Sequence, residues 1–167
     1  MCSATLKSIT TNNPPEIFAI DTSALFLIYA KVRPEALKDA DPNKRQYAQH
    51  CYDFQRFWNA AINSPSPSIV FISSYVIQEY THKLGGAKNV SKFYKILENT
   101  PSLINVPPSS KIYKRVGQLL TTYAGLDSND AHIIAHAEEQ NIKGFLVRDK
   151  LWHKIKGIEI FSHPDII

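Results

Sequence analysis

Residues 17–29 read IFAIDTSALFLIY, and this stretch decides the fold. Four apolar residues, Ile17–Ile20, run without a break into Asp21. A short, continuous apolar run ended by polar residues predicts a strand buried on both faces, as in parallel sheets. Thr22 and Ser23 then read as helix N-caps, followed by a helix over Ala24–Val32 that Arg33-Pro34 ends. Asp21 is thereby expected at the carboxyl end of a central strand, where open α/β sheets bind ligands. A carboxylate in that place needs a cation, a proton or several hydrogen bonds.

The same pattern recurs outward along the chain. Asp41-Pro42 opens a second helix, with Tyr47, Cys51, Phe54, Trp58 and Ile62 on one stripe. Residues 63–68, NSPSPS, form a loop, and Ile69–Ile72 a second buried strand. Ser73 and Ser74 cap a helix over Tyr75–Leu84 that Gly85-Gly86 stops, and Val90, Phe93, Tyr94 and Leu97 mark a fourth helix. A strand at Leu103–Val106, a helix carrying Ile112, Val116, Leu119, Leu120 and Tyr123, and a helix opened by Asp127 follow. Strands at Gly144–Val147 and Gly157–Phe161 flank a short helical turn at Leu151–Ile155. Strands alternating with helices predict βαβ units: one α/β domain of three layers, α/β/α, around a mainly parallel sheet. Residues 1–15, polar and ending in Pro14-Pro15, are expected to be a flexible leader, with the domain over residues 16–167.

Composition narrows the class. Hydrophobic residues at 44% and charged residues at 20% of 167 describe a soluble globule with room for one core. No apolar run reaches membrane-spanning length, and no apolar signal core stands in the first residues. Two cysteines, Cys2 and Cys51, make no CxxC pair, so a reducing cytoplasm is the expected compartment. A net charge of +4 permits a polyanionic partner without requiring one.

Four carboxylates fall where such a sheet gathers them. Asp21 ends strand one, Glu79 lies about one turn into the helix after strand two, Asp130 in the first turn of the sixth helix, and Asp149 just past strand four. Clustered carboxylates repel unless a cation joins them, and oxygen-only ligands select Mg²⁺ or Mn²⁺. Each acid also has a plainer reading. Asp21 suits a turn, Glu79 a solvated helix face, Asp130 the helix dipole behind an Asp127 cap, and Asp149 a cap for the turn after it. Their common placement on one sheet rim favours the metal site.

The segments IDTSAL, SSYVIQEY, NDAHIIAHA and LVRDKLW, in this order, resemble the PIN-domain family, most closely its VapC-type toxins of toxin–antitoxin pairs. The resemblance runs from about Ile17 to the C-terminus. It implies a five-stranded parallel sheet of order 3-2-1-4-5 and Mg²⁺- or Mn²⁺-dependent cleavage of RNA. It assigns Asp21, Glu79, Asp130 and Asp149 as catalytic metal ligands, with Thr22 or Ser23 in a supporting place; Asp127 is a further supporting residue. It also implies a homodimer and a cognate antitoxin. Family members often carry Thr or Ser two residues before the last Asp, where this chain has Val147, so one hydrogen bond to a metal ligand is expected to be missing. The stretch Lys31–Tyr47 is longer than the usual connection.

Other groups are weighed on the same terms. Lys150, His153 and Lys154 are expected to steer phosphate beside the rim, with Trp152 either stacking on a base or packed inside. His132 and His136 have the spacing of a zinc pair, but without HExxH or a cysteine partner they read as solvated or partner-facing. A metal-dependent endoribonuclease is the leading function, and a PIN-like module that binds RNA or protein without cutting is the alternative. A dehalogenase-like phosphatase would need an Asp where Ser23 stands, and a receiver an Asp near Val106-Pro107.

Overall fold

The computed structural model describes residues 3–166; Cys2 lies outside the described residues. Its strands are β1 (Thr5–Ser8), β2 (Ile17–Ile20), β3 (Ile69–Phe71), β4 (Leu103–Ile104), β5 (Gly144–Leu146) and β6 (Glu159–Ser162). Its α-helices are α1 (Thr22–Ile28), α2 (Pro42–Ile62), α3 (Ser74–Leu84), α4 (Ala87–Asn99), α5 (Ile112–Thr122) and α6 (Ser128–Glu139). Short 3₁₀ helices occupy Pro34–Lys38 and Lys150–Lys154. The strands form one sheet of order β1-β6-β5-β2-β3-β4, and every pairing is parallel.

Five of these strands, β4-β3-β2-β5-β6, reproduce the expected order 3-2-1-4-5. The sixth is a correction. Thr5–Ser8, inside the stretch expected to be a flexible leader, pairs in register with β6. Ala4 and Ile9 at its two ends are buried, and Lys7 bridges to Glu159 at 3.2 Å. The edge of β6 offers unpaired backbone groups, and a four-residue strand covers them without the long apolar run that would announce it.

Register assigns the layers. Phe18 is paired with Val70, and two residues on, Ile20 with Leu146 and Leu146 with Phe161; these side chains share one face. The Phe57 ring of α2 meets Phe18 at 6.0 Å and Phe161 at 5.8 Å on that face. Ala19, Phe71 and Phe145 point the other way, where Phe71 meets His136 of α6 at 4.9 Å and Phe145 meets Trp152 at 5.3 Å. α2 and α6 therefore cover opposite faces, and both first turns approach the carboxyl rim. Gly85 and Gly86, at φ 57° and 70°, turn α3 into α4 through backbone that a side chain disfavours. α1 is shorter than expected and ends at Ile28, with Tyr29 as its C-cap.

Candidate active site

Asp21, not Thr22 or Ser23, is the N-cap of α1. Its carboxylate accepts the Ser23 N–H at 3.0 Å and also the Ser23 hydroxyl. An Asp caps as well as a Ser, so the helix starts one residue behind the acid. Asp21 is only 4% exposed. Burial pushes its pKa up to about 6; the Ser23 bonds and the Thr22 backbone pull it back, and the charge of Glu79 pushes it further.

Glu79, on α3, accepts the Thr22 hydroxyl at 2.8 Å. It also accepts from the Asn129 amide and pairs with Lys83 one turn along the helix. Asp127 caps α6 by accepting the Asp130 N–H at 2.8 Å. That leaves the Asp130 side chain free to face the rim. Its carboxyl is pushed up to about 8, first by burial, then by the charges of Asp21, Asp127 and Asp149. The Trp152 indole N–H faces it and opposes the shift, although it falls short of full hydrogen-bond geometry. Asp149 accepts the Leu151 N–H at 2.8 Å and caps the 3₁₀ turn.

The four acids thus form one electrostatic chain: Glu79 acts on Asp21, Asp21 on Asp130, and Asp149 on Asp130. They stand open rather than closed, since among the described residues the one trio of His, Cys, Asp or Glu with donor atoms mutually within 4.8 Å is elsewhere. Repulsion holds carboxylates apart unless positive charge lies between them. Beside them Ser23, Arg148 and Asp149 line a cleft of ≈ 260 Å³.

The expected nucleic-acid contacts divide. Lys150 and Lys154 are exposed near Asp149. His153 is half-buried, and burial and then Lys150 push its pKa below the ordinary value, so it is a poor cation for phosphate. Trp152 is 0% exposed and packs on Phe145, so it stacks on no base. His136 corrects the reading of a solvated pair: it is fully buried and bonded to the Ser73 hydroxyl at 2.9 Å, because α6 packs flat on the sheet at that point. His132 lies against Tyr75 at 4.6 Å. Val147 is buried among apolar residues; its backbone carbonyl accepts the Ser162 hydroxyl at 2.7 Å.

Three contributors escaped the sequence reading. Lys83 was legible as an i,i+4 partner of Glu79, and Arg148 and Asn129 as neighbours of Asp149 and Asp130. Nothing in the sequence indicated that Asn129 would reach Glu79, fifty residues earlier.

This chain belongs to the PIN-domain family, whose family model matches residues 49–158. The match contains Glu79, Asp130 and Asp149 and begins downstream of Asp21, which the fold brings to them. No curated protein matches the chain. Among solved structures, VapBC2 from Rickettsia felis bound to a DNA fragment from its promoter is similar at TM-score 0.58 and 18% identity, over 86% of this chain and 96% of that one. FitAcB from Neisseria gonorrhoeae gives TM-score 0.52 and 14% identity, over 87% and 96%. DNA-bound VapBC from Salmonella typhimurium gives 0.51 and 18%, over 86% and 95%. At these identities the likeness is one of fold.

Proposed function

We propose that the chain is a divalent-metal-dependent endoribonuclease, the toxin of a toxin–antitoxin pair, with Asp21, Glu79, Asp130 and Asp149 as its catalytic acids. The observation that carries this reading is the electrostatic chain through those four side chains at one sheet rim. The donor set fits a hard cation: four carboxylates, without sulfur or imidazole. Burial, joined by facing carboxylate charges, raises the carboxyl pKa values of such a set. When bound, Mg²⁺ or Mn²⁺ supplies Lewis-acid polarisation of a phosphodiester.

The chain's own groups do the rest. Thr22, Asn129 and Lys83 fix the Glu79 carboxylate, and Ser23 fixes that of Asp21. Asp130, pushed up to about 8 by burial and by neighbouring carboxylates, is the acid whose ionised form a cation at the rim would favour most. Arg148, Lys150 and Lys154 offer positive charge to the RNA backbone. The structural relatives described as VapBC and FitAcB support a cognate antitoxin. A homodimer and a cytoplasmic location complete the proposal; no helix among the described residues is long and apolar enough to cross a membrane.

The test is incubation of pure protein with mixed cellular RNA in Mg²⁺ or EDTA. Cleavage in Mg²⁺ alone, lost in Asp149→Asn, supports the assignment; full activity of that variant overturns it. The open spacing of the acids and the apolar Val147 favour a second reading, a binding module without cleavage. A Mn²⁺ titration separates the two. Binding at the acids raises the melting temperature, and an unchanged melting curve favours the module. Growth arrest on expression, relieved by the adjacent gene's product, tests the toxin role.

A further inference from the structure

A second set of ligand-type side chains stands on the same rim, on the α2 face. His50 lies on α2, His163 directly follows β6, and Asp165 lies in the turn after it. One donor atom from each falls within 4.8 Å of the others. The imidazoles are buried, at 7% and 5% exposure, with ring centroids 4.2 Å apart. His50 Nε2 is 3.4 Å from Asp165 Oδ2, and His163 Nδ1 is 3.5 Å from the same oxygen. Both separations are long for hydrogen bonds. They match the edge of a tetrahedron: donors about 2.05 Å from a zinc ion stand about 3.3–3.4 Å apart.

The surroundings have the form of a metal site. His163 Nε2 bonds the buried Asp53 carboxylate at 3.1 Å, which orients the ring and turns the Nδ1 lone pair toward Asp165. Nδ1 of His163 also accepts the Asp165 backbone N–H at 3.2 Å, and metal binding replaces that bond at a turn open to water. Asp165 is half-exposed, so the fourth position faces solvent.

We infer that His50, His163 and Asp165 form a His₂–carboxylate site for a zinc-class divalent ion, separate from the acidic rim, that fastens the segment after β6 onto α2. Imidazole nitrogen selects Zn²⁺ and its neighbours over Mg²⁺. The inference is independent of the nuclease reading, and its test does not measure cleavage.

The experiment uses tag-free full-length Asp21→Asn/Asp149→Asn protein, in which the acidic rim is disabled. It is dialysed against Zn²⁺ in excess Mg²⁺ and its metal content measured. Replacement by Co²⁺ then reads the geometry through visible absorption. The expected result is one zinc per chain and the intense bands of a four-coordinate cobalt site. Adding His163→Gln or Asp165→Asn weakens Zn²⁺ binding at least tenfold. Asp165 is half-exposed, so its replacement leaves the core intact, which circular dichroism checks. A zinc-free parent, or unchanged affinity in the Asp165→Asn protein, overturns the inference.

Discussion

The acidic rim and the histidine cluster share one edge of the sheet and solve the problem of buried polar groups differently. At the rim, Asp21 and Asp130 are pushed well above the carboxylate range, first by burial and then by the charges of neighbouring carboxylates. In the cluster, each imidazole has a carboxylate beside it: His163 meets Asp53, and His50 meets Asp165. The rim thus gathers carboxylates and pairs Glu79 with Lys83, whereas in the cluster only the His163–Asp53 pair is closed at 3.1 Å and Asp165 stands 3.4–3.5 Å from both rings. Arg148, just past β5, lies between them. It lines the cleft with Asp149 and also bears on the titration of His50. The lesson is that neighbouring strand ends carry different chemistry when different faces of the sheet supply the second half of each site. α6 brings Asp130 to the first, and α2 brings His50 and Asp53 to the second.

The largest expected effect separates the two by activity. Asp21→Asn or Asp149→Asn lowers RNA cleavage by ~100-fold or more, the scale of a lost electrostatic stabiliser, and His163→Gln leaves it intact. A gel assay with labelled RNA checks this, and equal losses would merge the sites.

Next comes pH. The Asp21 and Asp130 carboxyls keep protons in the folded chain at pH values where the unfolded chain has released them. Their contribution to stability is complete below pH 4 and is lost as pH rises through about 6 for Asp21 and about 8 for Asp130. In EDTA, urea unfolding at pH 8 should show about 3 kcal/mol less stability than at pH 4 from Asp21 alone. Asp21→Asn removes that part of the slope, and a wild-type curve flat from pH 4 to 8 contradicts the burial argument.

Zinc at about 100 times its dissociation constant should add ~2.7 kcal/mol to the folded state. For a chain of this size that is a melting-temperature rise of about 5–10 °C. The rise should persist in Asp21→Asn and vanish in His163→Gln; calorimetry decides. The smallest effect belongs to Lys83→Ala. Its pair with Glu79 is half-exposed, so stability changes by under ~1 kcal/mol. A larger loss would mean that Lys83 supports the fold rather than the site.

The run Ile17–Asp21, the Asp41-Pro42 start and the Asp127 cap were legible because local chemistry dictates them: apolar continuity, fixed proline φ and a side chain reaching its own backbone. The places of Asp21, Asp130 and Asp149 follow from the same local chemistry, since each caps or begins a helix; Glu79, in the middle of α3, meets Thr22 only through helix packing. What stayed hidden depends on residues far apart in the chain. β1 exists because β6 has an open edge, Trp152 is buried because Phe145 lies beneath it, and His136 is a core residue because α6 packs on Phe71. His50 and His163, separated by 113 positions, carry no spacing signal at all. The sequence by itself determined the order of the elements from Ile17 onward and the positions of Asp21, Asp130 and Asp149 at element ends. Only the tertiary structure decided which side chains face them and which imidazoles meet, because those contacts depend on sheet register and helix packing rather than on neighbours in the chain.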